Sequence, residues 1–203
     1  ARVRQVVVKF NESAIRFGDA NAPAPLSLNC SDAQATQGNG RWISDREWAF
    51  EFESDLPPGV RCSVQVKAGF KSPQGVELAA SRHRFNTGGP FVQQVRPGTS
   101  ARIDEEQYFA LRLSGPATVQ SLQQHMWCTA EGVGERIPVR LIEGKERDEL
   151  LKHRGWDKAA AKNPLQYATL ACNRRLTAGT TMKLVFGAGI ATPNGVASRQ
   201  DKR

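Results

Sequence analysis

The residues that could do chemistry in this 203-residue chain are four cysteines, three histidines, one run of carboxylates and one dense stretch of mixed charge. Cys30, Cys62, Cys128 and Cys172 include no Cys-x-x-Cys pair, so the spacing of a structural metal site is missing. His83, His125 and His153 stand far apart, and no His-Glu-x-x-His occurs. The acids of "IDEEQ", Ile103 to Gln107, are consecutive and read as a solvated turn rather than a general acid–base pair. Neither a Gly-x-Ser-x-Gly elbow nor a phosphate-cradling Gly-rich loop is present. Asn11-Glu12-Ser13 and Asn29-Cys30-Ser31 fit the glycosylation triplet, a weak signal. No catalytic group, metal or cofactor is expected.

The cysteines have a different use. In "PLSLNC", Leu26, Leu28 and Cys30 share one face of an alternating strand; in "RCSVQV", Cys62, Val64 and Val66 do the same. Leu170 and Cys172 point one way in "TLAC". The thiols therefore point into cores, and one disulfide per half of the chain is the natural reading: Cys30 with Cys62, Cys128 with Cys172. Loops of this size would each contribute about 3.5–4 kcal/mol in the chain-entropy model. Disulfides imply an oxidising compartment.

The elements that position these cysteines are strands. "QVVVKF" puts Val6, Val8 and Phe10 inward, and "EWAFEFES" puts Trp48, Phe50 and Phe52 on one face with Ala49, Glu51 and Glu53 opposite. "LPPGV" and "SPQGV" are turns, and "RHRFNTG" is a closing strand. Further on, "QYFALRLS" aligns Phe109, Leu111 and Leu113, and "RIPVRLI" aligns Ile137, Val139 and Leu141. Short two-faced strands at this spacing predict antiparallel immunoglobulin-like β-sandwiches.

There are two of them, because the chain repeats itself. Leu56, Gly59, Ala68, Gly69, Pro73, Gly75 and Val76 recur 120 positions on as Leu176, Gly179, Ala188, Gly189, Pro193, Gly195 and Val196, without a gap. The shared residues are mostly turn formers. The expected division is 1–89 for the first sandwich and 90–203 for the second, with "NTGGPFVQQVRPGTS" (86–100) as the hinge. In the first sandwich the closing strand is 81–88, so its counterpart would begin at 201; the second sandwich reads as truncated at its last strand, and the chain as a fragment of a longer one. It opens on Ala1 without a leader, as a processed product or excised piece would.

The second repeat carries an addition. "GKERDELLKHRGWDKAAAKNP" (144–164) is rich in helix formers and predicts a helix near 145–153 and another turn or two near 157–162, stopped at Asn163-Pro164. Its exposed candidates for partner docking are Lys145, Arg147, Lys152, Arg154, Trp156 and Lys158.

The net charge is +8. There are 11 basic and 9 acidic residues to Gly89, and 17 and 11 after it, with local pairs such as Arg174-Arg175 and Lys202-Arg203. That balance favours acidic partners, but no cluster of aromatic and basic residues of the kind that stacks bases is present, so nucleic acid is not expected. No apolar run reaches the length of a membrane span.

Whole segments, "VVVKFNESAIRFGD", "GRWISDREWAFEFESDLPPGVRC", "FNTGGP", "IDEEQYFALRL" and "CTAEGVGERIPVRLIEGKERDELL", resemble the N-terminal region of the bacterial alpha-2-macroglobulin family. The resemblance covers nearly the whole chain. It implies tandem macroglobulin-like sandwiches from a large periplasmic or inner-membrane-associated protease inhibitor. Its implied partners are target proteases, met through the longer protein, and a bifunctional penicillin-binding protein or other envelope proteins. Any membrane attachment would come through a tether outside this chain. The family's thioester needs Cys-x-Glu-Gln, which Cys172-Asn173-Arg174-Arg175 is not, and no cleavable bait loop stands out. A non-catalytic scaffold or docking part is the implied role. The alternative is an adhesin-like or wall-binding module whose basic second domain meets acidic glycan.

Overall fold

The computed structural model describes residues 3–19 and 21–202. The chain divides into two compact units, Ala1–Thr87 and Gly88–Arg203. Both are antiparallel β-sandwiches, and the second has the short helical insertion.

In the first unit, β1 (Val3–Lys9), β4 (Glu47–Leu56) and β3 (Gly38–Ser44) form one sheet in that order. The strands β2 (Leu26–Cys30), β5 (Arg61–Val66) and β6 (Arg82–Asn86) form the other. Alternation decides which side chains meet between them: Val6, Trp48, Phe50 and Phe52 from the first sheet, Leu28, Cys62, Val64 and Phe85 from the second. Glu51 and Glu53 are exposed, as the period-two pattern requires. Ala49 departs from the pattern and is fully buried. It lies in the central strand between Val7 and Arg41, both far longer than its single methyl group.

The second unit contains β7 (Val92–Arg96), β8 (Tyr108–Leu113), α1 (Val119–His125), β9 (Met126–Ala130), β10 (Ile137–Leu141), α2 (Gly144–His153), α3 (Asp157–Lys162), β11 (Tyr167–Cys172) and β12 (Met182–Phe186). Its strands run β12-β9-β10-β11-β8-β7. β10 is the corner. It pairs with β9 through Ile137 and Pro138 alone, and with β11 through Val139, Arg140 and Leu141. One strand thus passes from one half-sheet to the other, and Pro138, which has no N–H to give, stands at the handover. The two halves close on a core of Leu111, Leu113, Cys128, Val139, Leu170 and Ile190.

The repeated residues have a structural reason. Gly59, Gly69 and Gly75 have φ of 87°, 76° and 80°; Gly179, Gly189 and Gly195 have 74°, 103° and 81°. That left-handed region is open to glycine and costly to other residues. The bonds recur with the glycines. Ser72 N donates to Val76 O at 2.8 Å and Thr192 N to Val196 O at 3.0 Å; Lys71 bridges Glu77, and Ala191 bridges Ala197. The two hairpins differ in their cover. Thr118 N and Ser121 Oγ bond to Ala191 and tie α1 onto the second hairpin, where Val196 is 5% exposed. Val76, its counterpart, is 64% exposed.

One sequence expectation needs correction. The stretch 86–100 is not a hinge throughout, because Val92–Arg96 forms β7 and pairs with β8. Val92 and Val95 are three apart, which hides the alternation. A register shift between Val92 and Gln94 lets both pack against the core. The second unit therefore begins its sheet before "QYFALRLS". Helix α1 was also not anticipated. It is two turns long and buries only Ser121 and Leu122, too little to show a period; its one signal is Thr118, whose side chain accepts from Ser121 N as an N-cap.

The predicted helices at 145–153 and 157–162 are α2 and α3. Lys202 exchanges two backbone hydrogen bonds with Phe186, at 2.8 and 2.9 Å, 120 positions on from the start of β6. Arg203, named with it as a basic pair, lies outside the described residues. Among the described residues no helix is long and apolar enough to cross a membrane.

Candidate docking surface

The insertion is built from helix formers with a thin apolar seam. Leu151 and Ala160 are 1% and 2% exposed, and α2 packs on β11 and on α3. The seam covers the outer face of β11, which is why Thr169 and Ala171 are as buried as Ala168 and Leu170 on the core side. A tight reversal joins the two helices. Gly155 takes φ 70°, Gly155 N donates to Lys152 O at 2.9 Å, and Trp156 N donates to Leu151 O at 2.8 Å. This is the Schellman arrangement, and it requires glycine where Gly155 stands.

The six candidate docking residues separate into two groups. Arg147 and Trp156 turn inward. Arg147 Nη2 donates to Pro164 O at 3.0 Å and to Tyr167 O at 3.1 Å, and the side chain keeps 20% of its exposure. The Trp156 ring lies 5.8 Å from that of Tyr167. Both fasten the insertion to the start of β11. Lys145, Lys152, Arg154 and Lys158 are exposed, but so are Glu146, Asp148, Glu149 and Asp157. The insertion thus presents mixed charge rather than a cationic patch. A long-range field from it is weak at ordinary salt, because opposite charges a few ångströms apart cancel beyond a Debye length.

Sequence reasoning missed what lies beside it. A cavity of about 170 Å³ opens among α1, the end of β10, the start of α2, the turn at Pro164–Gln166 and the start of β11. Val119, Leu122, Ile142 and Leu165 line it, with Glu143 and Arg147 as its charged members. Val119 and Leu165 are 38% and 39% exposed. A space of this size accepts one apolar side chain or a single ring, since a cavity of about 150 Å³ holds benzene. Arg147 is committed to two carbonyls, so it shapes the wall and offers little charge to a guest. No periodic signal could have found this cavity, because its walls come from five separate elements.

The cysteines pair within units: Cys30 with Cys62 at a Cα–Cα distance of 4.0 Å, Cys128 with Cys172 at 5.9 Å. Cys30 and Cys62 are direct register partners on β2 and β5. The second bridge joins β9 to β11 across the corner strand β10, and so fixes the fold of the sheet. Such bridges persist in an oxidising compartment.

The histidines are not brought together. His83 is exposed on β6, His153 ends α2, and His125 lies against Gly189. Of the "IDEEQ" acids, Glu105 Oε2 accepts from Arg175 Nε at 2.5 Å, an ion pair that raises the Arg175 pKa. Among the described residues no group of three or more His, Cys, Asp or Glu side chains is placed to hold a metal ion. No family model matches this chain, and the comparison with curated proteins finds no match.

Proposed function

We propose that this chain is the N-terminal, non-catalytic scaffold and docking part of a large periplasmic protease inhibitor of the alpha-2-macroglobulin type. The observation that carries the reading is the repeated sandwich. Two units share one turn-strand-turn frame, with seven identical residues in ungapped register over 56–76 and 176–196, and each is closed by its own disulfide. Serial, separately stapled sandwiches are a way to build a large protein from one recurring frame. The segments quoted above that resemble the family support the same reading, and the disulfides fit the periplasm as an oxidising space. Proteases would be met by the longer protein, and envelope proteins such as a bifunctional penicillin-binding protein would dock on exposed parts of these units.

The test uses the longer protein that contains this chain. After incubation with a broad-specificity protease, residual activity is assayed on a small peptide and on a large protein substrate. Loss on the large substrate alone is the expected result. Equal activity on both would remove the trapping reading.

A further inference from the structure

The two outer faces of the first sandwich carry charge differently. On the β1-β4-β3 sheet three of the four carboxylates of β4 are answered by neighbouring strands: Lys9 Nζ lies 2.7 Å from Glu47, Arg41 Nη2 2.8 Å from Glu51 and Arg4 Nε 3.2 Å from Asp55. Glu47 raises the Lys9 pKa, by hydrogen bond first and charge second. That face is largely paired.

The outer face of the β2-β5-β6 sheet is not. Register places its side chains in rows, Ser27–Gln65–Arg82 and Asn29–Ser63–Arg84, with Arg61 opposite Asn86 at the end. No carboxylate and no apolar side chain stands among these eight positions. Arg82 and Arg84 are exposed. Arg82 Nη2 reaches Ser63 Oγ at 3.5 Å, and neither guanidinium has an ion pair among the described residues. The repeated frame does not demand this face: 120 positions on, Gln65 is replaced by Val185, 2% exposed, and Ser63 by Lys183.

We propose that the outer face of β2-β5-β6 binds a linear acidic polysaccharide, independently of the protease-trap reading. Arg82 and Arg84 would grip acid groups along the chain, since a guanidinium's planar fork matches a carboxylate or phosphate. They stand two strand residues apart, roughly 7 Å along β6. Ser27, Asn29, Ser63 and Gln65 supply both donors and acceptors, which a hydroxyl-rich ligand can use and an acidic peptide side chain cannot. The face has no aromatic ring on which a base could stack, which disfavours a single-stranded nucleic acid. A flat sheet face suits an extended chain.

The test is titration calorimetry of the full chain at low salt with polygalacturonate, and with dextran, polyglutamate and oligothymidylate for comparison. Polygalacturonate is expected to bind most tightly, with an affinity that falls as salt rises. R82E/R84E should weaken it by about tenfold or more. K152E/K158E, with the same change in net charge, should stay within about twofold. N29A/Q65A should weaken polygalacturonate while leaving polyglutamate unchanged. Melting curves confirm that the variants, all at solvent-facing positions, remain folded. No binding of polygalacturonate at low salt would overturn the proposal. So would an equal loss in the two charge reversals, or tighter binding of polyglutamate or oligothymidylate.

Discussion

Gly179 turns the backbone through φ 74°, and a methyl group there would meet nothing within 4 Å. Handedness alone opposes alanine, at roughly 1–2 kcal/mol for an L-residue in the left-handed region. G179A and G75A should each lose about that much stability in denaturant titrations. Gly187 is a different case, because a Cβ there would overlap the Trp127 ring and the His125 carbonyl. G187A should cost more than G179A and should shift the tryptophan emission. The turn glycines were legible as a recurring pattern, since their requirement is local. Gly187 was not, because its neighbours arrive from a strand some sixty residues earlier. The cysteines were legible for the first reason, as alternation alone aimed them inward. Replacing either pair by alanine should lower the stability of its own unit by about 3.5–4 kcal/mol in the chain-entropy model, seen as a lower denaturation midpoint.

At the scale of elements, the insertion was readable in composition but not in placement. Its helix formers announced α2 and α3, whereas nothing in them told that Leu151 and Ala160 would cap β11. Arg147 and Trp156 read as surface residues because their partners, the Pro164 and Tyr167 carbonyls and the Tyr167 ring, are set by the return of the chain. L151A should cost about 2–5 kcal/mol, as truncation of a fully buried leucine does. R147A should act more locally. It removes two anchoring hydrogen bonds, so amides of α2 and α3 should exchange faster while those of β8 and β11 keep their protection. Equal exchange in the variant and the native chain would show that the seam alone holds the helices. β7 escaped the sequence reading because its bulge breaks the period-two count, and α1 because two turns with one buried leucine show no stripe.

At the scale of the molecule, the fold was legible because its determinants are repeated: two sets of alternating strands, two sets of turn glycines, two pairs of cysteines. The candidate surfaces were less so. The basic excess is larger after Gly89 than before it. Even so, the second unit's insertion mixes its charges, while the face without carboxylates lies on the first unit's second sheet. Net charge is a sum over the chain, and binding depends on which residues register places side by side.

The most direct measurement runs this 203-residue chain and the longer protein proposed to contain it side by side with one protease and two substrates, a small peptide and a large protein. The chain alone should leave hydrolysis of both substrates unchanged, and the longer protein should protect the large substrate only. Inhibition of peptide hydrolysis by the chain alone would contradict the scaffold role, because it would place a protease-blocking site within these two sandwiches.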